Sequence, residues 1–363
     1  MFSRARYYNE GMLLEGIFAA VTTCFYPDGR PYWRKLEANM DRYSRTAMSG
    51  MVILGSTGEA VMLSDDESRE ALRVARNAAT AEKVLLAGVG RESVIETLRL
   101  ADYAAELAYD AILVRTPHFY RKQMRNREML TYYQAVADRS PLPVMLYSVP
   151  SATAYELPIE VVADLAMHPN IIGMKDSSGN VERIGELAKA TSSARKRTVT
   201  VTTIFAAVTS RMLAQQTDAA ATFVAAGELV SGGAAVAVAP PKPPLKTRTR
   251  EVGFQILAGS AQTLYGSLEA GATGGVLGLA TFAPQACCEV FTAWAEKDRD
   301  LAAEKQQRVA PAGVEIVGKM GIPGVKYALD VNGYFGGRPR MPLLPLTADE
   351  QRVVDELLQD IRN

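Results

Sequence analysis

Short apolar, β-branched runs alternate along the chain with longer segments whose apolar residues recur at helical spacing, a pattern that predicts parallel strands joined by crossover helices. The first strand is expected at Gly16–Thr23 and its helix at Pro31–Met48. A second strand follows at Met51–Leu54, closed by the turn Gly55-Ser56-Thr57-Gly58-Glu59. The next helix starts near Ser64, whose hydroxyl, three residues ahead of Glu67, makes a capping box. Further strands are expected at Lys83–Val89, Ala111–Thr116, Pro143–Val149 and Ile171–Asp176, and helices at Val94–Leu107, Arg127–Arg139, Ile159–Ala166 and Val181–Ala190. Phe254–Ser260 and Gly274–Ala280 supply the last two strands. Eight βα units are the count of an α/β fold, the (β/α)8 TIM barrel, for which about 250 residues is usual. Residues 16–281 are therefore read as barrel and 1–15 as an N-terminal extension. Residues 282–363 read as a C-terminal helical extension, interrupted at Gly321-Ile322-Pro323-Gly324 and at Gly333-Tyr334-Phe335-Gly336-Gly337.

One region breaks the rhythm. Residues 192–252 turn rich in Ala, Val and Thr and run into Pro240-Pro241-Lys242-Pro243-Pro244. An ordinary connection at this point takes about 2–6 residues, so the segment is an insertion. Thr198-Val199-Thr200-Val201-Thr202 alternates as a strand would, yet the stretch as a whole reads as a mobile loop with some local structure. Because it joins a helix to the following strand, it is expected on the face opposite the mouth that the βα loops build.

Charge and composition narrow the function. Among 363 residues, 40 Lys and Arg balance 40 Asp and Glu, without the basic excess that a nucleic-acid or membrane-surface partner calls for. No apolar stretch is long enough to span a bilayer, and the first residues lack the apolar centre of a signal peptide. A soluble cytoplasmic protein is the expectation. Cys24, Cys287 and Cys288 form no disulfide framework, and the two histidines, His118 and His168, show no metal-ligand spacing, so no metal is expected.

The apolar run Ile171-Ile172-Gly173-Met174 ends abruptly in Lys175. Inside a barrel an ammonium is rarely left without a task, because desolvation disfavours its charged form. Lys175 closes the sixth strand, Tyr147 the fifth and the Gly55–Glu59 turn the second, so a closed barrel brings the three to one mouth. An amine that forms imines needs a group to move protons, which a phenol supplies. A substrate carboxylate needs fixed donors, which the hydroxyls of Ser56 and Thr57 and the N–H groups of a turn ending in Gly58 supply. Each feature alone has a plainer reading: a lysine pointing into water, a tight connection, a packed aromatic. Together the catalytic reading is the better one.

Gly55-Ser56-Thr57-Gly58-Glu59, Leu146-Tyr147-Ser148-Val149-Pro150 and Gly173-Met174-Lys175-Asp176, in that order, resemble the dihydrodipicolinate synthase / N-acetylneuraminate lyase family of class I pyruvate aldolases. The resemblance runs from about Gly16 to the end, the insertion excepted. It implies a homo-oligomer, usually a tetramer and otherwise a dimer, without cofactor, in which Lys175 forms a Schiff base with pyruvate or a related 2-oxo acid. It also implies that Tyr147 shuttles protons and that Ser56, Thr57 and Gly58 hold the carboxylate. The synthases carry an arginine in a Val-Pro-Ser-Arg-Thr pattern that grips a second carboxylate, where this chain reads Val149-Pro150-Ser151-Ala152-Thr153. Sialic acid lyases carry Gly-x-Asp-Glu after strand seven, where this chain reads Gly259-Ser260-Ala261-Gln262, with Gly259 and Ser260 at the substrate-binding position. The segments around Lys175, Gly259 and Gly321–Lys326 are most similar to the 4-hydroxy-2-oxoglutarate aldolase branch. Phe119 stands where the family places a relay tyrosine from a neighbouring subunit; either Tyr120 takes over or the relay is shortened. The alternatives are the synthase itself, condensing pyruvate with aspartate semialdehyde, and a non-catalytic barrel that binds a 2-oxo acid.

Overall fold

The computed structural model describes residues 12–202 and 247–361. Its strands are β1 (Gly16–Ala20), β2 (Gly50–Ile53), β3 (Val84–Gly88), β4 (Ala111–Arg115), β5 (Val144–Ser148), β6 (Ile171–Asp176), β7 (Arg197–Thr202), β8 (Thr247–Val252), β9 (Gln255–Ala258) and β10 (Gly274–Leu277). All but β7 and β8 form one closed parallel barrel in the order β1-β10-β9-β6-β5-β4-β3-β2. Parallel strands sheathed by helices are buried on both faces, which is why they read as short continuous apolar runs. Inward side chains such as Leu113, Met145, Ile172 and Leu257 pack together inside the barrel, and outward ones such as Val114, Leu146 and Met174 pack beneath the helices. The helix Asp65–Ala78 opens on the expected capping box: Glu67 N–H donates to the Ser64 hydroxyl at 3.2 Å and Ser64 N–H to the Glu67 carboxylate at 2.9 Å.

Several strands end earlier than the apolar pattern predicts. Val21 N–H still reaches Val52 O, but the next residues leave the ladder, and the Thr23 hydroxyl donates instead to Gly58 O at 2.6 Å. The last three residues predicted for the eighth strand, Gly278 to Ala280, turn out of the barrel towards a short 3-10 segment at Leu279–Thr281. At the C-terminus, Gly321 (φ +62°) makes a corner after a π-helical stretch at Gly313–Lys319, and a helix then runs over Gly321–Val331. Pro323 lies in the first turn of that helix, where its missing N–H has no intrahelical partner to lose.

The insertion begins and ends as β-structure. β7 and β8 pair antiparallel over their full length, Arg197 opposite Val252 and Thr202 opposite Thr247, so this part is a ribbon and not a loop. The alternation of Thr and Val is what an antiparallel ribbon with one buried face requires. Val199 and Val252 pack on Met12, Leu13 and Leu14 beneath the barrel, and Arg197 donates to Ile172 O and Gly253 O, each at 2.9 Å. These carbonyls stand at the N-terminal ends of β6 and β9, remote from the mouth. The mobile-loop expectation for residues 203–246, and any expectation for residues 1–11, lie outside the described residues.

One irregularity aims the interior. Between β5 and β6 the register slips by one, from Val144 opposite Ile171 to Met145 opposite Gly173, so Ile172 is an extra residue in β6. Beyond it Tyr147 pairs with Lys175, Arg115 pairs with Tyr147, and Lys175 pairs with Leu257. Residues paired in parallel strands point to the same side, so Arg115, Tyr147, Lys175 and Leu257 form one inward-facing row. Without the extra residue Met174 would sit opposite Tyr147 and Lys175 would face the helices, since a slip of one exchanges the two faces of a strand. Gly173 permits the bulge: a Cβ there would overlap Gln255 O. Gly173→Ala is expected to destabilise the fold by about 1–3 kcal/mol and to lower turnover by displacing Lys175. Urea unfolding beside kinetics checks this, and wild-type values for both would contradict it.

Candidate active site

Lys175 and Tyr147 are 3% and 4% exposed. The Lys175 ammonium donates to Tyr147 Oη at 3.2 Å and lies 4.3 Å from the centre of its ring, so the ring face and the phenol oxygen together replace part of its lost hydration. Ser56 Oγ stands 3.0 Å from the same phenol oxygen, and the Ser177 hydroxyl is a further partner. Burial by itself would push the phenol up. The Lys175 charge, with the hydrogen bonds from Ser56, Lys175 and Ser177, outweighs burial and holds Tyr147 below its ordinary value of 10.0. A phenol with several hydroxyl partners and a lowered pKa suits a group that gives and takes protons beside an amine.

The Gly55–Glu59 turn is shaped by left-handed residues at both ends, Leu54 (φ +61°) and Glu59 (φ +54°). Gly58 N–H donates to Gly55 O and Glu59 N–H to Ser56 O. The N–H groups of Ser56 and Thr57 are left without a partner among the described residues. Ser56 is exposed at the mouth, and Thr57 is half-buried with its hydroxyl near Gly278. Two free N–H groups and two hydroxyls on consecutive residues make a set of donors suited to a carboxylate.

What holds this turn went unrecognised in the sequence. Glu59 Oε1 pairs with Lys326 Nζ at 2.6 Å, with the side chains 1% and 0% exposed. Lys326 also donates to Arg338 O at 3.0 Å, and Glu59 Oε2 accepts Arg340 N–H at 2.8 Å. Burial pushes the Lys326 amine down while Glu59 draws it back up. Arg340 then forks onto Glu67 at 2.6 and 2.7 Å, joining the C-terminal segment to the helix that follows the turn. The nearest signal in the sequence was Lys326 itself, a lysine inside the apolar run Gly324-Val325-Lys326-Tyr327-Ala328-Leu329.

The other expected site residues lie around the same mouth. Gly259 follows β9 and its N–H donates to Asp176 O at 2.6 Å; a Cβ there would overlap the Ser177 hydroxyl. Ser260 turns its hydroxyl beside Gly179, and no contact joins it to Lys175 or Tyr147 among the described residues. Ala152 is exposed on the short helix Pro150–Thr153 that caps β5. Phe119 and Tyr120 are 75% and 61% exposed and pack edge to face on the loop after β4. Neither supplies a relay hydroxyl to Tyr147 within this chain. The described residues contain no cluster of acidic, histidine and cysteine side chains fit to hold a metal ion, and none of their helices is long and apolar enough to cross a membrane.

A family model described as the dihydrodipicolinate synthetase family matches residues 13–200 and 245–361. The 4-hydroxy-tetrahydrodipicolinate synthase of Xanthomonas campestris pv. campestris is 38% identical over 179 residues, which span 48% of this chain and 58% of that protein. The L-threo-3-deoxy-hexylosonate aldolase of Hypocrea jecorina is 29% identical over 353 residues, 96% of this chain and 95% of that protein. A solved dihydrodipicolinate synthase from Acinetobacter baumannii, complexed with pyruvate, shares the fold with a TM-score of 0.76 at 23% identity, covering 96% of this chain and 99% of that one.

Two outcomes follow from the geometry. Lys326→Met strands the buried Glu59 carboxylate and is expected to cost about 3–5 kcal/mol, read as a lower urea midpoint. An unchanged midpoint would show that the pair holds nothing. In Lys175→Met the burial of Tyr147 is no longer offset by a cation, so its ionisation, isolated by subtracting the ultraviolet titration of a matching Tyr147→Phe protein, should move upward from below 10.0. Identical titrations with and without the amine would contradict this account of the phenol.

Proposed function

Because the chain belongs to the dihydrodipicolinate synthetase family, we propose that it is a carbon–carbon lyase that cleaves a 4-hydroxy-2-oxo acid to pyruvate and an aldehyde, or joins them in reverse. The observation that carries this reading is the buried Lys175 amine, 3.2 Å from the Tyr147 oxygen, which in turn is 3.0 Å from Ser56. Lys175, as the free amine, attacks the C2 ketone, and Tyr147 gives its phenol proton to the departing hydroxyl, so that water leaves and a protonated imine forms beside the phenolate. Tyr147, as phenolate, takes the proton of the C4 hydroxyl; the C3–C4 bond then breaks, and its electrons pass into the iminium to leave an enamine. Protonation at C3 and hydrolysis release pyruvate and the free amine. The imine itself is the electron sink, so no cofactor is needed. The Ser56 and Thr57 donors hold the carboxylate through both halves of the cycle.

Within the family the reading is a 4-hydroxy-2-oxoglutarate aldolase type of activity. Ala152 supports it over the synthase reaction, because a methyl group cannot grip the second carboxylate of aspartate semialdehyde. The synthase remains the alternative, favoured by the relative from Xanthomonas campestris. A cytoplasmic homodimer or homotetramer goes with this reading, with exposed Phe119 and Tyr120 resting against another copy.

Borohydride reduction with pyruvate is expected to fix a stable adduct on Lys175, absent in Lys175→Ala, with turnover lowered at least about a thousandfold in that variant. Mass spectrometry of the peptide decides it, and an unmodified lysine at saturating pyruvate sinks the reading. Cleavage of 4-hydroxy-2-oxoglutarate and of 2-keto-3-deoxy sugar acids, measured beside condensation with aspartate semialdehyde, separates lyase from synthase.

A further inference from the structure

The imine chemistry proposed above leaves one inward-facing residue of the mouth without a task. Arg115 ends β4 in register with Tyr147, which is itself in register with Lys175. Adjacent strands stand about 4.8 Å apart, so the Arg115 backbone lies two strand steps, about 10 Å, from that of Lys175. Its side chain lies against Gly90, where a Cβ would come 2.8 Å from Arg115 Cγ, and is 18% exposed. Arg115 Nη1 pairs with Glu92 Oε1 at 2.9 Å, and His118 Nδ1 lies 2.8 Å from both. Glu92 Oε2 accepts the N–H groups of His118 and Phe119 at 2.9 and 3.0 Å, which fixes the carboxylate at the rim. Burial raises the Glu92 carboxyl, but the Phe119 N–H, Arg115 and the His118 N–H more than offset it and keep it ionised. Arg115 Nε and Nη2, and His118 Nε2, have no partner among the described residues.

We propose that Arg115, held by Glu92 and His118, is the specificity-determining residue that binds the hydroxyl groups on the tail of the aldehyde half of the substrate. The inference rests on the carbon–carbon lyase reading but departs from its 4-hydroxy-2-oxoglutarate member, whose tail is a carboxylate: the substrate class it names is a sugar-derived 2-oxo acid with hydroxyls beyond C4. The row places its groups in the order of the substrate, with the imine carbon at Lys175, the C4 hydroxyl at Tyr147 and the tail towards Arg115. Charge decides which tail. A guanidinium free of carboxylates would suit a second carboxylate, but this one is already matched by Glu92, so the pair is neutral while unused N–H donors remain. Neutral hydroxyls accept from such a group without competing for its counter-ion.

The test compares condensation of pyruvate with glyceraldehyde, with acetaldehyde, which lacks the tail, and with glyoxylate, which is anionic. Arg115→Met is expected to lower the ratio of kcat/KM for glyceraldehyde over acetaldehyde by about tenfold to a hundredfold, mostly through KM. Arg115→Lys keeps a charge for Glu92 but loses the fork, and should give a smaller drop in the same ratio, so the test survives if the Met variant does not fold. An unchanged ratio in the folded variants, or a loss confined to glyoxylate, overturns the proposal. Trapping of pyruvate by borohydride is run alongside. If wild-type protein is not labelled, the aldolase reading falls and this proposal with it; if it is labelled and the ratio does not move, only this proposal falls.

Discussion

The site depends on one extra residue in a strand. Ile172 fits into β6 without a partner on β5, and every residue beyond it is shifted by one position relative to the neighbouring strand. The shift turns Lys175 from the helix-facing side of the sheet to the inside, opposite Tyr147. A parallel barrel holds its strands by ladders on both edges, so a bulge of this kind persists only where neither neighbour obstructs it. Gly173 meets that condition on the β9 side, where Gln255 O occupies the space a side chain would take. The proposed chemistry therefore rests on backbone register before any side chain contributes.

Around that register two kinds of polar burial do different work. The contact of Lys175 with Tyr147 has open hydroxyl company in Ser56 and Ser177, which leaves protons somewhere to go. The pair of Glu59 with Lys326 is closed: its charges are matched to each other and to backbone groups of the C-terminal segment, and nothing in it faces the mouth. A buried ion pair of this sort is costly to break, whatever its net worth against an apolar replacement. It couples the Gly55–Glu59 turn to residues more than 260 positions further along the chain. The C-terminal helices are in this sense part of the mouth.

Much of this was legible in the sequence. Ile171–Asp176, Ile159–Ala166 and Val181–Ala190 were read to the residue, because apolar period and flanking turns agreed there. Strand ends were overrun where apolar or β-branched residues continue past the ladder, as at Val21 to Thr23, since propensity does not reveal where hydrogen bonding stops. The ribbon at Thr198–Thr202 was undervalued because its partner, Thr247–Val252, lies beyond a long intervening stretch that pattern cannot bridge. Lys175, Tyr147 and Ser56 were legible as a set because strand ends in a barrel converge. Arg115 and the pair of Glu59 with Lys326 were not, because which ions meet depends on packing across elements remote in sequence. Glycine inside the strand at Gly173 was a visible sign of the bulge, though its effect on phase shows only in the pairing.

β7 and β8 are rooted on the underside, tied by Arg197 to the opening carbonyls of β6 and β9. An appendage attached there can gain or lose length by evolutionary drift while the mouth stays constrained, so the two ends of the barrel are free to diverge at different rates. The same separation offers an engineer an anchoring point: an immobilisation handle spliced between the two roots would orient every molecule with its entrance towards the solution.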